Sequence, residues 1–342
     1  MKVGVLSGGG DAPGINAVIR AIVRKGIQNY RYEIVGIKDG WHGLLENEFL
    51  RLDLKSASGI LPRGGSVLGT SRTNPFKRDK DPEMILKNAK KESIGAVVAI
   101  GGDDTLSVAF RMGELGLKCV GVPKTIDNDL MGTDYTFGFM TAVGIATEAL
   151  DRLHTTAETH HRVMILEVMG RYTGWIALAA GIAGGADAIL IPEKPFDIKE
   201  ICTYITRRQK RGRNFSIIVV AEGAKPKGGA EIVYSESVDD FGHIRLGGVG
   251  YYLGKEIEKC MGIETRVVVL GHLQRGGPPT AFDRILATRL GIGAIDLVHD
   301  KKFGQMVALK GNKIVSVPLK DVIGKRKTVD LELYKIANVF FG

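Results

Sequence analysis

The chain has 342 residues, 44% hydrophobic and 25% charged, an ordinary globular balance long enough for a sizeable core and two domains. Its net charge of +9 comes from scattered Lys and Arg, without a basic block or interleaved aromatics, so a small anionic substrate accounts for it better than nucleic acid. No run of about 18 apolar residues occurs, and Val3–Leu6 is too short for a signal peptide, so a soluble, cytoplasmic protein with no membrane partner is expected.

The first element is a buried strand at Val3–Leu6, followed by a helix whose Ile15, Val18, Ile19, Ile22 and Val23 keep helical spacing. Between them stands Ser7-Gly8-Gly9-Gly10-Asp11-Ala12-Pro13-Gly14. Glycines before a helix expose backbone N–H groups to an anion, although a tight turn would read the same way. The dinucleotide fingerprint G-x-G-x-x-G is missing. Ile34–Ile37, Ala96–Ile100 and Cys119–Val122 are further strands.

After Ile100 comes Gly101-Gly102-Asp103-Asp104-Thr105, in which the aspartates serve either as helix caps or as metal and phosphate-site groups. After Val122 comes Pro123-Lys124-Thr125-Ile126-Asp127-Asn128-Asp129. Asp127 suits proton abstraction from a hydroxyl, Thr125 can donate to a phosphate, and Asp129 can assist a metal or fix geometry. An Asx-rich turn is the bland alternative.

Val163–Val168, Ala188–Ile191, Ser216–Ala221 and Val267–Leu270 continue the strands, and Asp197 is the N-cap of a helix over Ile198–Gln209. Met169-Gly170-Arg171-Tyr172-Thr173-Gly174, Glu222 and the His272…Arg275 segment each follow one of these strands. Arg162 lies at the opposite end of the 163–168 strand. Lys225–Gly229 reads as a surface loop, and Lys320–Lys327 leads toward a final helix. Strands separated by helices predict parallel α/β sheets, whose ligands bind beyond the strands' carboxyl ends. Cys119, Cys202 and Cys260 are too far apart for a CxxC metal motif and are expected to be reduced.

Taken together, GGGDAPGIN, LGTSR at 68–72, GGDDT, PKTIDND, MGRYTG, AEGA and GHLQRGGPPTAFDR resemble the phosphofructokinase family over almost the whole chain. The resemblance implies two Rossmann-like three-layer α/β domains with mostly parallel sheets and the active site in the cleft between them. Residues 1–138 plus about 274–324 would bind the phosphoryl donor, and 139–273 plus about 325–342 the sugar phosphate.

It further implies Mg²⁺-assisted phosphoryl transfer to the C1 hydroxyl of fructose 6-phosphate. Asp127 would be the base, with Thr125 beside it, Asp103 a metal ligand and Asp129 an auxiliary one. Gly10, Gly102 and Arg72 would meet the donor, and Arg171 would stabilise the transition state. Met169, Gly170, Glu222, His272 and Arg275 would hold the sugar phosphate. Arg162 and Arg266 would reach a neighbouring subunit's site in a homodimer or homotetramer.

The ATP-using branch has glycine where this chain has Asp104 and Lys124, and the pyrophosphate-using branch has Asp and Lys. Pyrophosphate is therefore the expected donor, ATP the alternative, and a non-catalytic sugar-phosphate-binding subunit a remote one. A pyrophosphate reaction would be reversible, serving glycolysis and gluconeogenesis. Of the family's nucleotide-effector pocket, Arg20, Arg24 and Asp187 remain, but His154 and Leu54 replace arginines, so weak or absent nucleotide regulation is expected.

Overall fold

The computed structural model describes residues 1–229, 232–238, 241–242 and 244–342. Along the chain run β1 (Lys2–Ser7), α1 (Ile15–Gln28), β2 (Glu33–Ile37), α2 (Trp41–Glu46), β3 (Phe49–Leu52), α3 (Asp81–Lys91), β4 (Ile94–Gly101), α4 (Asp103–Glu114) and β5 (Cys119–Pro123). Then come α5 (Phe139–His160), β6 (Val163–Val168), α6 (Trp175–Ala183), β7 (Ala188–Leu190), α7 (Ile198–Lys210) and β8 (Ser216–Ala221). The chain closes with β9 (Val233–Val238), β10 (Ile244–Leu246), α8 (Val249–Met261), β11 (Thr265–Val269), α9 (Ala281–His299), β12 (Gln305–Lys310), β13 (Lys313–Pro318), α10 (Leu319–Val322) and α11 (Leu331–Asn338).

Two larger sheets organise these elements, beside an antiparallel pair of β9 and β10. The first has order β13-β12-β5-β4-β1-β2-β3, parallel throughout except at its two edges. The second, β11-β6-β8-β7, is wholly parallel. Both are covered on both faces, which is why their strands read as near-continuous Val/Ile runs. In β4, Ala96, Val98 and Ile100 enter the cluster under α1 and α9, while Val97 and Ala99 face the opposite cluster with Trp41, Leu106 and Met112. In β6, Met164, Leu166 and Val168 pack toward α5 and α6, and Val163 and Ile165 toward α7 and α8. The period-2 alternation thus builds two three-layer α/β units, as expected.

Several expectations need adjustment. β7 is only three residues long, with Ile191 making an isolated bridge to Lys194, and β11 begins two residues before the expected Val267. The 320–327 segment is a short helix, α10, followed by an irregular strap, and the final helix starts only at Leu331. The edge strands β3 and β13, and β12 beside the latter, were not anticipated. β12 and β13 form a hairpin in which Lys310 pairs with Lys313, and Gly311 at φ 56° supplies the left-handed turn. Gly311-Asn312 between two apolar runs was the readable signal. Asp197 does cap α7, accepting from Lys199 N–H at 2.8 Å. Cys119 and Cys202 are buried and Cys260 is exposed, all as free thiols. Among the described residues no helix is long and apolar enough to cross a membrane.

Candidate active site

The glycine loop after β1 is fastened to the 68–72 segment. Gly9 N–H donates to Ser71 O at 2.9 Å, and Thr70 Oγ1 donates to Gly9 O at 2.6 Å. These bonds bring Arg72 to the rim of the same opening. A side chain at Gly10 would put its Cβ 2.8 Å from the Arg275 guanidinium, which would have to swing away, so glycine here lets that guanidinium lie against the loop.

The loops after β4 and β5 are locked together by Lys124 N–H donating to Gly101 O at 2.9 Å. The N-cap of α4 is Gly102 and no side chain caps it, so Asp103 and Asp104 occupy the first turn facing the cleft. The capping reading of this pair therefore fails. Asp103 Oδ1 accepts from Gly324 N–H at 2.9 Å. Lys124 is buried and its amino group donates to Gly10 O.

Opposite, the β6 loop turns sharply. Gly170 has φ 142°, and Arg171 is held at φ 52°, a left-handed conformation uncommon for a non-glycine residue. Glu222 Oε1 accepts from Arg171 N–H at 3.0 Å, which fixes the turn. Thr173 Oγ1 reaches Asp127 O at 3.3 Å, tying the two units at the base of the opening.

The result is a cleft of about 310 Å³ whose lining includes Gly10, Arg72, Gly102, Asp103, Asp104, Lys124, Thr125, Asp127, Asp129, Arg171 and Arg275. Met169, Gly170, Glu222 and His272 lie outside this lining, with Glu222 directly beneath the Arg171 turn. Arg162 and Arg266 are elsewhere. Arg162 precedes β6 and Arg266 is the second residue of β11, so the six residues of β6 and the last three of β11, at about 3.3 Å each, separate them from the cleft end. There both pair with Glu264. Asp11, Tyr172, Gly324, Lys325 and Arg326 also line the cleft and were missed as site residues.

The electrostatics are tuned toward neutrality. Burial pulls the Lys124 ammonium down to about 7, with Arg275 adding repulsion and Asp11 and Asp127 opposing it. Burial raises the Asp127 carboxyl, against the pull of Arg275, Arg171 and Lys124. Burial, then the charge of Asp127, push both Asp129 and Glu222 up to about 7. Asp127 Oδ1 is buried without a hydrogen-bond partner. A carboxylate oxygen so placed is set to accept from a hydroxyl. Backbone N–H groups, glycines, clustered cations and facing carboxylates together constitute a site for moving a phosphoryl group.

The phosphofructokinase family profile matches residues 2–298, and the chain belongs to that family. It is 58% identical to the pyrophosphate–fructose 6-phosphate 1-phosphotransferase of Streptomyces coelicolor, over all of both chains. It is also 53% identical to the ATP-dependent 6-phosphofructokinase 2 of Clostridium perfringens, covering 97% of this chain and 94% of that one. Among solved structures, the phosphofructokinase of Pichia pastoris in the T-state superposes with a TM-score of 0.83 at 31% identity, covering 99% of this chain and 36% of that one.

Two residues expected at an effector pocket, Asp187 and His154, are engaged within the protein. Asp187 accepts from Ile217 N–H at 2.8 Å and pairs with Arg208 at 2.7 Å, while His154 Nε2 meets Gly184 O at 2.8 Å. Groups engaged internally bind an effector poorly. Millimolar ADP or phosphoenolpyruvate is expected to leave initial rates nearly unchanged, and a several-fold change in either direction would overturn this.

Proposed function

We propose that this protein catalyses the reversible transfer of a phosphoryl group from pyrophosphate to the C1 hydroxyl of fructose 6-phosphate, giving fructose 1,6-bisphosphate and phosphate. The observation that carries the choice of donor is the pair Lys124 and Asp104. Lys124 fills the space beneath Gly10, and Asp104 sits in the first turn of α4 within the donor side of the cleft. A nucleotide would bring its α-phosphate toward that carboxylate, whereas pyrophosphate ends before it. The ammonium supplies charge to the phosphoryl in transit. The anhydride broken in pyrophosphate and the sugar-phosphate ester formed are close in energy, so the reaction runs either way, in glycolysis or gluconeogenesis.

In this reading Asp127 takes the C1 hydroxyl proton and the C1 oxygen attacks the near phosphorus of pyrophosphate. Arg171 and Lys124 meet the charge on the transferring group. Gly10, Gly102 and Arg72 hold the donor, and Thr125 donates to phosphate oxygen. Met169, Gly170, Glu222, His272 and Arg275 hold the sugar phosphate.

Mg²⁺ fits the residues present. Mg²⁺ is commonly held by one or two carboxylates plus substrate phosphates; Asp103 and Asp129 both line the cleft, and the Asp103 charge adds to the burial and the Asp127 charge that raise the Asp129 carboxyl. When bound there it would neutralise phosphate charge.

The donor-binding unit is taken as 1–138 plus about 274–324 and the sugar unit as 139–273 plus about 325–342. The protein acts as a homodimer or homotetramer in the cytoplasm. Arg162 and Arg266 sit at the end of their strands remote from their own cleft, where they can serve a neighbour's 6-phosphate. Leu273 at 68%, Ile285 at 61% and Tyr251 at 58% exposure supply apolar surface for self-association.

The test is a donor comparison: fructose 6-phosphate and Mg²⁺ with pyrophosphate or ATP at equal concentration. Pyrophosphate is expected to turn over at least about tenfold faster. Faster turnover with ATP favours the reading in which the chain works like its ATP-dependent relatives and overturns this one.

A further inference from the structure

The strap between α10 and α11 crosses the cleft. Gly324 N–H binds Asp103 Oδ1 at 2.9 Å, Arg326 bridges to Leu130, and Lys327 N–H donates to Asp129 O at 2.8 Å. Lys327 Nζ donates to Asn128 Oδ1 at 3.0 Å, Thr133 O at 3.0 Å and Asp134 O at 2.9 Å. On the other side, Trp175 Nε1 donates to Lys327 O at 2.8 Å. The backbone on either side of Arg326 is therefore pinned to both units.

Its head group is placed as well. The Arg326 guanidinium carbon lies 4.2 Å from the centroid of the Tyr172 ring, and the Arg171 guanidinium is 5.4 Å from the same ring. One aromatic thus carries two cations from remote parts of the chain. The charge distribution of the cleft shows what the second cation is for. Arg72 comes with the glycine loop, Arg171 and Arg275 from the sugar side, while Asp103, Asp104 and Asp129 crowd the α4 side. A phosphate lying over the start of α4 would face these carboxylates, and the strap, bonded to Asp103 and to the Asp129 backbone, brings its cations to that flank.

We propose that Arg326 is a donor-binding residue: it holds the outer phosphate of the donor, which becomes the leaving phosphate, against the acidic flank of the cleft, with Tyr172 fixing its guanidinium. A planar, pre-oriented guanidinium binds two phosphate oxygens at little entropic cost. The inference rests on the proposed phosphotransferase reading with pyrophosphate as the donor.

The experiment compares Arg326→Gln and Arg326→Lys with the native protein. Arg326→Gln is expected to raise the KM for pyrophosphate by roughly ten- to a hundredfold, leaving that for fructose 6-phosphate within about twofold. Calorimetry with inorganic phosphate should show the same weakening, the thermal midpoint should be unchanged, and Arg326→Lys should recover part of the loss. Unchanged pyrophosphate KM and phosphate affinity, or a parallel rise in both KM values with a lowered melting point, would overturn the proposal. Failure of the native protein to use pyrophosphate would instead defeat the donor assignment, and phosphate calorimetry would still decide the role of Arg326.

Discussion

Asp127→Ser is expected to lower kcat by on the order of a thousandfold, with the KM for fructose 6-phosphate little changed. The carboxyl combines burial, an oxygen without a hydrogen-bond partner and four nearby cations. Burial raises its proton affinity above that of an ordinary carboxyl, and the cations oppose that rise. Serine leaves a polar group but no base, so the sugar can still bind and the C1 hydroxyl keeps its proton.

The same substitution acts on stability in the opposite sense. Asp127 is the second cause, after burial, of the raised Asp129 and Glu222 carboxyls. Their folded values of about 7 exceed the ordinary 3.8 and 4.5. Their stabilising effect is therefore full at low pH and is lost as pH rises from the unfolded values through the folded ones. Removing the Asp127 charge lessens that loss. In ligand-free protein the variant's melting point should gain on the native one between about pH 4.5 and pH 7. A kcat within tenfold of native would show that another group accepts the proton.

What could be read from the sequence were the parts of the site that lie at single strand ends. A buried strand needs Val and Ile on both faces, and the residues that must approach a phosphate follow it at once. Gly8–Gly10, Gly101–Asp104, Lys124–Asp129 and Gly170–Arg171 were therefore visible as contrasts between an apolar run and a small or charged cluster. Edge strands lack that contrast: β13 is half-exposed and β3 carries Arg51, so neither stands out. The strap was invisible for a different reason. Gly324 meets Asp103 across 221 residues, a juxtaposition made by the order of strands and not by any local pattern. The Arg171 backbone could not be foreseen either. Its left-handed turn is imposed by Gly170 before it and by the Glu222 carboxylate, which reaches in from the end of β8. The separation of Arg162 and Arg266 from the cleft was half legible, since Arg162 stands at the wrong end of its strand, but their shared partner Glu264 was not.

Converting the donor requires changing both halves of the Asp104 and Lys124 pair. Two like charges about 4 Å apart repel by roughly 4 kcal/mol at an effective dielectric near 20, and a threefold reduction of that still leaves about tenfold discrimination. Asp104→Gly alone should therefore raise kcat/KM for ATP about tenfold. It leaves Lys124 in place, with its amino group bonded to Gly10 O and filling the space under the glycine loop. The double variant Asp104→Gly/Lys124→Gly opens that space, so its gain with ATP should exceed the single variant's. Its activity with pyrophosphate should fall at least about a hundredfold, because a buried charge on the transferring group is lost.

The pH profile separates the two residues. Burial and Arg275 bring the Lys124 ammonium down to about 7 in the free protein, so it loses its proton as pH rises through that value. Native kcat/KM for pyrophosphate, which reports the free enzyme, should decline above about pH 7, and Asp104→Gly should keep that limb. Lys124→Gly, alone or combined with Asp104→Gly, should lose it. If the alkaline limb persists without Lys124, the amino group is a packing element and Asp104 alone sets the donor. If the double variant gains nothing with ATP, nucleotide is excluded by the shape of the cleft and not by its charge.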